Sequence, residues 1–113
     1  MSVTIYHNPA CSKSRQTLQL LKDRGVDVRV VEYLKTTPSR ETLVDILEML
    51  GKPVSALVRK KERLFADLGL GGADDEALLE AMVANPLLIE RPIVVNGRRA
   101  RLGRPPEDVL EIL

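Results

Sequence analysis

Tryptophan is absent, and aromatic residues make up only 3% of the 113 residues. Tyr6, Tyr33 and Phe65 are the whole set, so a core has to be built from Leu, Val and Ile. A surface that stacks nucleobases on several rings is not available. There is one cysteine, Cys11, and one histidine, His7. An internal disulfide therefore cannot form, and no Cys/His zinc site can be assembled within one chain. Charge of one sign does not dominate either. Seventeen Lys and Arg against sixteen Asp and Glu leave a formal charge of +1, which gives no bulk attraction to nucleic acid or to an anionic membrane. No apolar run nears the ~20 residues of a membrane span. The opening, Met1-Ser2-Val3-Thr4-Ile5-Tyr6-His7, lacks the basic-then-apolar pattern of a secretory signal. The expectation is a reducing, cytoplasmic setting, with neither nucleic acid nor membrane as partner.

What is present is ordinary globular composition, 44% hydrophobic and 29% charged, at a length typical of one domain. Val3-Thr4-Ile5-Tyr6 alternates and is rich in β-formers, which predicts a strand. His7-Asn8-Pro9-Ala10 breaks it. A helix is expected from Cys11 or Ser12 to about Arg24, ended by Gly25. Val26 to Tyr33 reads as a second strand, and strand–helix–strand predicts a parallel pair. Thr37-Pro38 resembles an N-cap followed by a first-position proline, ahead of Leu43, Ile46, Leu47 and Leu50 at helical spacing. A shorter helix is expected from Val54 to about Lys60, with a further turn around Leu64, Phe65 and Leu68. Asp74 or Asp75 caps a helix carrying Leu78, Leu79, Met82 and Val83, which Asn85-Pro86 closes. The period then changes. Pro92 to Val95 is a strand, Asn96-Gly97 a hairpin turn, and Arg98 to Leu102 the partner strand. A last helix follows Arg104-Pro105-Pro106. The order β-α-β, a helical middle, then β-β-α is the plan of an α/β, thioredoxin-like domain with a mixed sheet. It is expected to be a single domain over 1–113 with a helical insertion at about 38–89.

Cys11 stands where a loop meets a helix N-terminus. Free N–H groups and the helix dipole favour negative charge there, and the thiolate is the reactive form. Lys13 and Arg15 add positive charge, Ser14 offers a hydroxyl, and His7 is four residues upstream. A lone cysteine also suits the part of a small buried hydrophobe, and His7 that of a structural histidine. The polar loop before Cys11 and the polar run after it favour the reactive reading. Serine at position 14 means that no second cysteine can close a ring, so a resolving thiol must arrive from outside. The Cys-x5-Arg cradle of a phosphatase is also missing, because position 17 is Thr17. Arg59, Arg91 and Arg104 are far apart in sequence. If they converge on the thiolate, their guanidinium groups describe a site for a tetrahedral oxyanion.

Together, Ile5-Tyr6-His7-Asn8-Pro9-Ala10-Cys11, Ser14-Arg15, Leu57-Val58-Arg59-Lys60, Glu90-Arg91-Pro92-Ile93-Val94-Val95 and Gly103-Arg104-Pro105-Pro106 resemble the glutaredoxin-dependent arsenate reductase family, in its short chromosomal branch. The resemblance runs from Val3 to the final Leu110-Glu111-Ile112-Leu113. It implies that Cys11 attacks arsenate to form an S–As(V) adduct, that Arg59, Arg91 and Arg104 hold the oxyanion, and that His7 and Ser14 assist thiolate formation. It further implies glutathione as co-substrate, glutaredoxin as the regenerating partner, no bound metal or flavin, and a cis Arg91–Pro92 bond. Two alternatives are an Spx-like regulator that binds RNA polymerase and another glutathione-dependent thiol oxidoreductase. Ser14 removes the Cys-x-x-Cys switch that such regulators often carry.

Overall fold

The computed structural model describes residues 3–113. They fall into two compact units, one made by the chain up to Thr36 with Arg91–Leu113, the other by Thr37–Glu90. No helix among the described residues is long and apolar enough to cross a membrane.

The first unit holds β1 (Val3–His7), α1 (Ser12–Asp23), β2 (Val28–Glu32), β3 (Ile93–Asn96) and β4 (Arg99–Leu102), then a 3₁₀ segment, Pro106–Ile112. The sheet order is β2-β1-β3-β4. β1 runs parallel to β2, with Ile5 opposite Val30, and antiparallel to β3, with Ile5 opposite Val94. The parallel pair and the mixed, thioredoxin-like sheet agree with the sequence. Alternation along β1 sends Val3, Ile5 and His7 to one side, and all three are buried. Val3 and Ile5 join Leu21, Val94, Val109 and Ile112 in one core, with Leu18, Leu20, Val26 and Val28 packed around it. α1 and the 3₁₀ segment pack against each other on the sheet.

The second unit is helical. α2 (Arg40–Leu50) buries Leu43, Ile46, Leu47 and Leu50, and Gly51 at φ 66° ends it. A 3₁₀ turn, Val54–Ala56, and a short α3 (Arg63–Asp67) follow. α4 (Asp75–Ala84) buries Leu78, Leu79 and Met82 and packs on α2. The Asp74 carboxylate caps it by accepting from the Ala77 N–H at 2.9 Å.

Four sequence expectations need correction. The cap of α2 is Ser39, whose Oγ accepts from the Thr42 N–H at 3.1 Å. Thr37-Pro38 therefore precedes the cap. The segment from Val54 does not continue to Lys60 as a helix, because its backbone is claimed by another partner. The Arg59 N–H donates to the Leu88 carbonyl and the Glu90 N–H to the Leu57 carbonyl, both at 2.7 Å. In the hairpin, Asn96 pairs with Arg99, so the turn is Gly97-Arg98. Gly97 at φ 64° supplies the positive φ that a type II′ turn needs at its first central position. The last helix is 3₁₀ rather than α. Three residues per turn bring i and i+3 into line, and Pro106, Val109 and Ile112 are all buried.

Gly103 is the most closely packed glycine of the first unit. A Cβ there would lie 2.5 Å from Thr17 Oγ1 and 2.7 Å from Pro92 Cγ. Gly103→Ala is expected to cost about 1–3 kcal/mol through overpacking, read as a lower urea midpoint at unchanged m-value. An unchanged midpoint would contradict this packing.

Candidate active site

Cys11 is the N-cap of α1, with extended backbone at φ −95° and ψ 124°. The loop that delivers it is tied at each peptide. The Cys11 N–H donates to the Asn8 carbonyl at 3.0 Å, and the Arg15 N–H donates to the Cys11 carbonyl at 3.0 Å. The Asn8 side-chain oxygen accepts from the Ala10 N–H at 3.0 Å, and Arg15 Nη1 donates to the Pro9 carbonyl at 2.8 Å. The first turn of α1 carries no acidic residue, so no side chain in that turn competes with a thiolate for the positive end of the helix.

Only 9% of Cys11 is exposed. Burial pushes its thiol up, but other contacts outweigh it. The Ser14 backbone N–H, the positive charge of Arg91, the Lys13 backbone N–H and a hydrogen bond from the Arg91 side chain bring the pKa below the ordinary thiol value. Arg104 Nη2 lies 3.9 Å from the sulfur. Its Nε donates to the Arg91 carbonyl at 2.8 Å, while the Gly103 N–H donates to the Pro92 carbonyl at 2.9 Å. The two arginines are thus tethered to each other through backbone. Arg91–Pro92 is cis, as the resemblance implied, and so is Arg104–Pro105.

His7 and Ser14 meet at 2.6 Å between Nδ1 and Oγ, and the Ser14 Oγ also accepts from the Asn8 N–H at 3.0 Å. Burial lowers the His7 pKa against the opposing pull of Glu32, and the positive charges of Arg15 and Lys22 lower it further. The imidazole is therefore neutral at pH 7.

The structure thus brings Cys11, Arg91 and Arg104 together, with Ser14 linking this group to His7. It revises how the neighbours act. Ser14 reaches the sulfur through its backbone N–H, while its hydroxyl serves His7. Lys13 likewise contributes its N–H, and the Arg15 guanidinium holds the Pro9 carbonyl. The cation that lowers the thiol pKa is Arg91. Arg59 belongs to the other unit, where it pairs with Glu62 at 3.1 Å and donates to the Leu87 carbonyl at 3.2 Å. Sequence reasoning missed the backbone donors and the fixing role of Asn8. An asparagine just after a strand and before proline was a usable signal for the latter, because its side chain readily bonds an N–H two residues on. Among the described residues no group of three or more His, Cys, Asp or Glu is placed to hold a metal ion.

A cysteine of lowered pKa at a helix N-terminus, beside two guanidinium groups on a thioredoxin-like sheet, defines the class: a thiol-based oxidoreductase. The chain belongs to the ArsC family, whose model matches residues 6–112. It is 50% identical to an arsenate reductase of Rhizobium meliloti, covering 100% of this chain and 82% of that protein. It is 54% identical to the uncharacterized protein YfgD of Escherichia coli, covering 98% and 96%. Among solved structures, an arsenate reductase from Vibrio cholerae superposes at a TM-score of 0.97 with 54% identity, covering 100% of this chain and 98% of that one.

The thiol pKa yields a direct prediction. Iodoacetamide alkylation followed against pH should show a midpoint below the free-thiol value of about 8.5. Arg91→Met should raise it, because losing a nearby cation disfavours the charged form. A midpoint at or above the free value in the unmodified protein would remove the activated nucleophile.

Proposed function

We propose that this protein is an arsenate reductase that uses Cys11 as its nucleophile and draws its electrons from glutathione and glutaredoxin. The observation that carries the reading is the pair Arg91 and Arg104 at a depressed-pKa sulfur. Guanidinium groups bind tetrahedral oxyanions through paired, charge-assisted hydrogen bonds, and a soft thiolate is the ligand that arsenic accepts.

The Cys11 thiolate attacks arsenic, and an arsenate oxygen leaves as water once protonated. Arg91 and Arg104 stabilise the charge on the remaining oxygens. Arg59 is assigned the same role from its motif. His7 and Ser14 assist thiolate formation by keeping the loop before Cys11 in place, which holds the sulfur at the first N–H groups of α1. Reducing As(V) to As(III) needs two electrons. One cysteine supplies only half of the disulfide that must be formed, so a second thiol has to come from solution. Glutathione provides it. The S–As bond breaks with its electron pair left on arsenic, arsenite departs, and the sulfurs of Cys11 and glutathione join. Glutaredoxin then opens that mixed disulfide by dithiol exchange and restores Cys11. A reaction that consumes glutathione and a reduced cysteine belongs in the cytoplasm.

The test is arsenate-dependent NADPH oxidation, coupled through glutathione reductase, glutathione and glutaredoxin. Cys11→Ser should abolish turnover, and turnover undiminished in that variant would end the mechanism. Arg91→Lys and Arg104→Lys keep the charge but lose the planar fork. Hydrogen bonds to charged groups are worth ~1.5–3 kcal/mol, so kcat/KM should fall about ten- to a hundred-fold. Arg99 is engaged with the Ile112 carbonyl and Arg101 with Glu111, so lysine at either should cost little. Equal losses at all four would indicate general electrostatics, and no loss at Arg91 and Arg104 would contradict the oxyanion site.

A further inference from the structure

We propose that Thr17 is a positioning residue for the oxyanion site: its hydroxyl, tied to the Lys13 carbonyl, sets how closely the Gly103–Arg104 segment lies over the sulfur of Cys11. The proposal rests on the reductase reading and extends it.

Thr17 stands six residues after Cys11, where a Cys-x5-Arg cradle would hold its arginine. Here that position turns inward. Thr17 has no exposed surface, and its Oγ1 donates to the Lys13 carbonyl at 2.8 Å. That bond selects one rotamer of a side chain already stiff at χ1. In this rotamer both branches lie under Gly103, since a Cβ there would be 2.5 Å from Oγ1 and 3.1 Å from Cγ2. Gly103 is in turn fixed to the Pro92 carbonyl at 2.9 Å. The next residue is Arg104, which reaches the sulfur with Nη2 and the Arg91 carbonyl with Nε. One contact, Thr17 against Gly103, therefore sets the height of both arginine-bearing segments above α1. The same hydroxyl is bonded to the residue whose N–H is a donor to the Cys11 sulfur.

Oxygen matters here because it is smaller than a methyl group and is held by Lys13. Thr17→Val keeps the branched shape but replaces Oγ1 with a larger group that has no bond to the carbonyl, which lifts Gly103. Thr17→Ser keeps Oγ1 and its bond. Displacement of catalytic groups by about an ångström costs up to ~100-fold. Thr17→Val is thus expected to lower arsenate kcat/KM about tenfold, with KM raised, and to move the Cys11 alkylation midpoint upward. Thr17→Ser should stay near the unmodified protein in both readouts. A valine variant that loses only thermal stability, with KM and midpoint unmoved, overturns the proposal. So does a serine variant that loses as much as valine. Should Thr17→Val fail to fold, Thr17→Ala takes its place and must move both readouts while serine restores them; unmoved readouts overturn the proposal. The alkylation midpoint needs no arsenate. If arsenate proves not to be the substrate, the midpoint still decides the role of Thr17.

Discussion

A sulfur withdrawn from water must be kept ionised if it is to attack, and in this protein that requirement falls on the first turn of α1. Burial alone would raise the Cys11 pKa. The N–H groups of Ser14 and Lys13 and the guanidinium of Arg91 outweigh it and bring the pKa below the ordinary thiol value. Backbone donors at a helix start are already oriented and have no intrahelical partners, so they stabilise the thiolate without reorganising. The loop over Asn8 to Ala10 exists to deliver the sulfur to that point. Its hydrogen bonds to Asn8, Ser14 and Arg15 leave it little freedom to move.

The sheet explains how residues remote in sequence meet the sulfur. β1 lies between a parallel and an antiparallel neighbour, so the end of β1 that carries His7 lies beside the start of β3. Cys11 follows from the first, and Arg91 precedes the second. β4 returns antiparallel to β3 with Leu102 opposite Ile93, which brings Gly103 and Arg104 back to the same end. The close approach at Gly103, against Thr17 and Pro92, lets that return pass tightly over α1. Fold and chemistry are linked at this place, where three chain segments converge on one helix start.

Most of the architecture was legible because its signals are local. Alternation in Val3–Tyr6, the leucine spacing before Gly51, and Asp74 ahead of an apolar helical face each depend on near neighbours, and each gave the right element. Errors arose where distant partners decide. The stretch after Val54 leaves helical geometry because Leu88 and Glu90 claim its backbone. The C-terminal segment tightens to three residues per turn because Pro106, Val109 and Ile112 share a buried face. For the site, the meeting of Cys11 with Arg91 and Arg104 was anticipated from residue types. The division of labour was not. That Ser14 and Lys13 act through backbone N–H, that Arg15 holds the loop, and that Arg91 supplies the cation are properties of geometry, which spacing alone does not encode.

Whether a Cys11 thiolate takes arsenic directly is the claim on which the mechanism turns. Arsenic K-edge X-ray absorption on the purified protein mixed with arsenate, without added thiol, measures it. The account predicts one sulfur ligand beside oxygens at arsenic, lost in Cys11→Ser and weakened when Arg91 and Arg104 are both replaced. Arsenic surrounded by oxygen alone in the unmodified protein would contradict it.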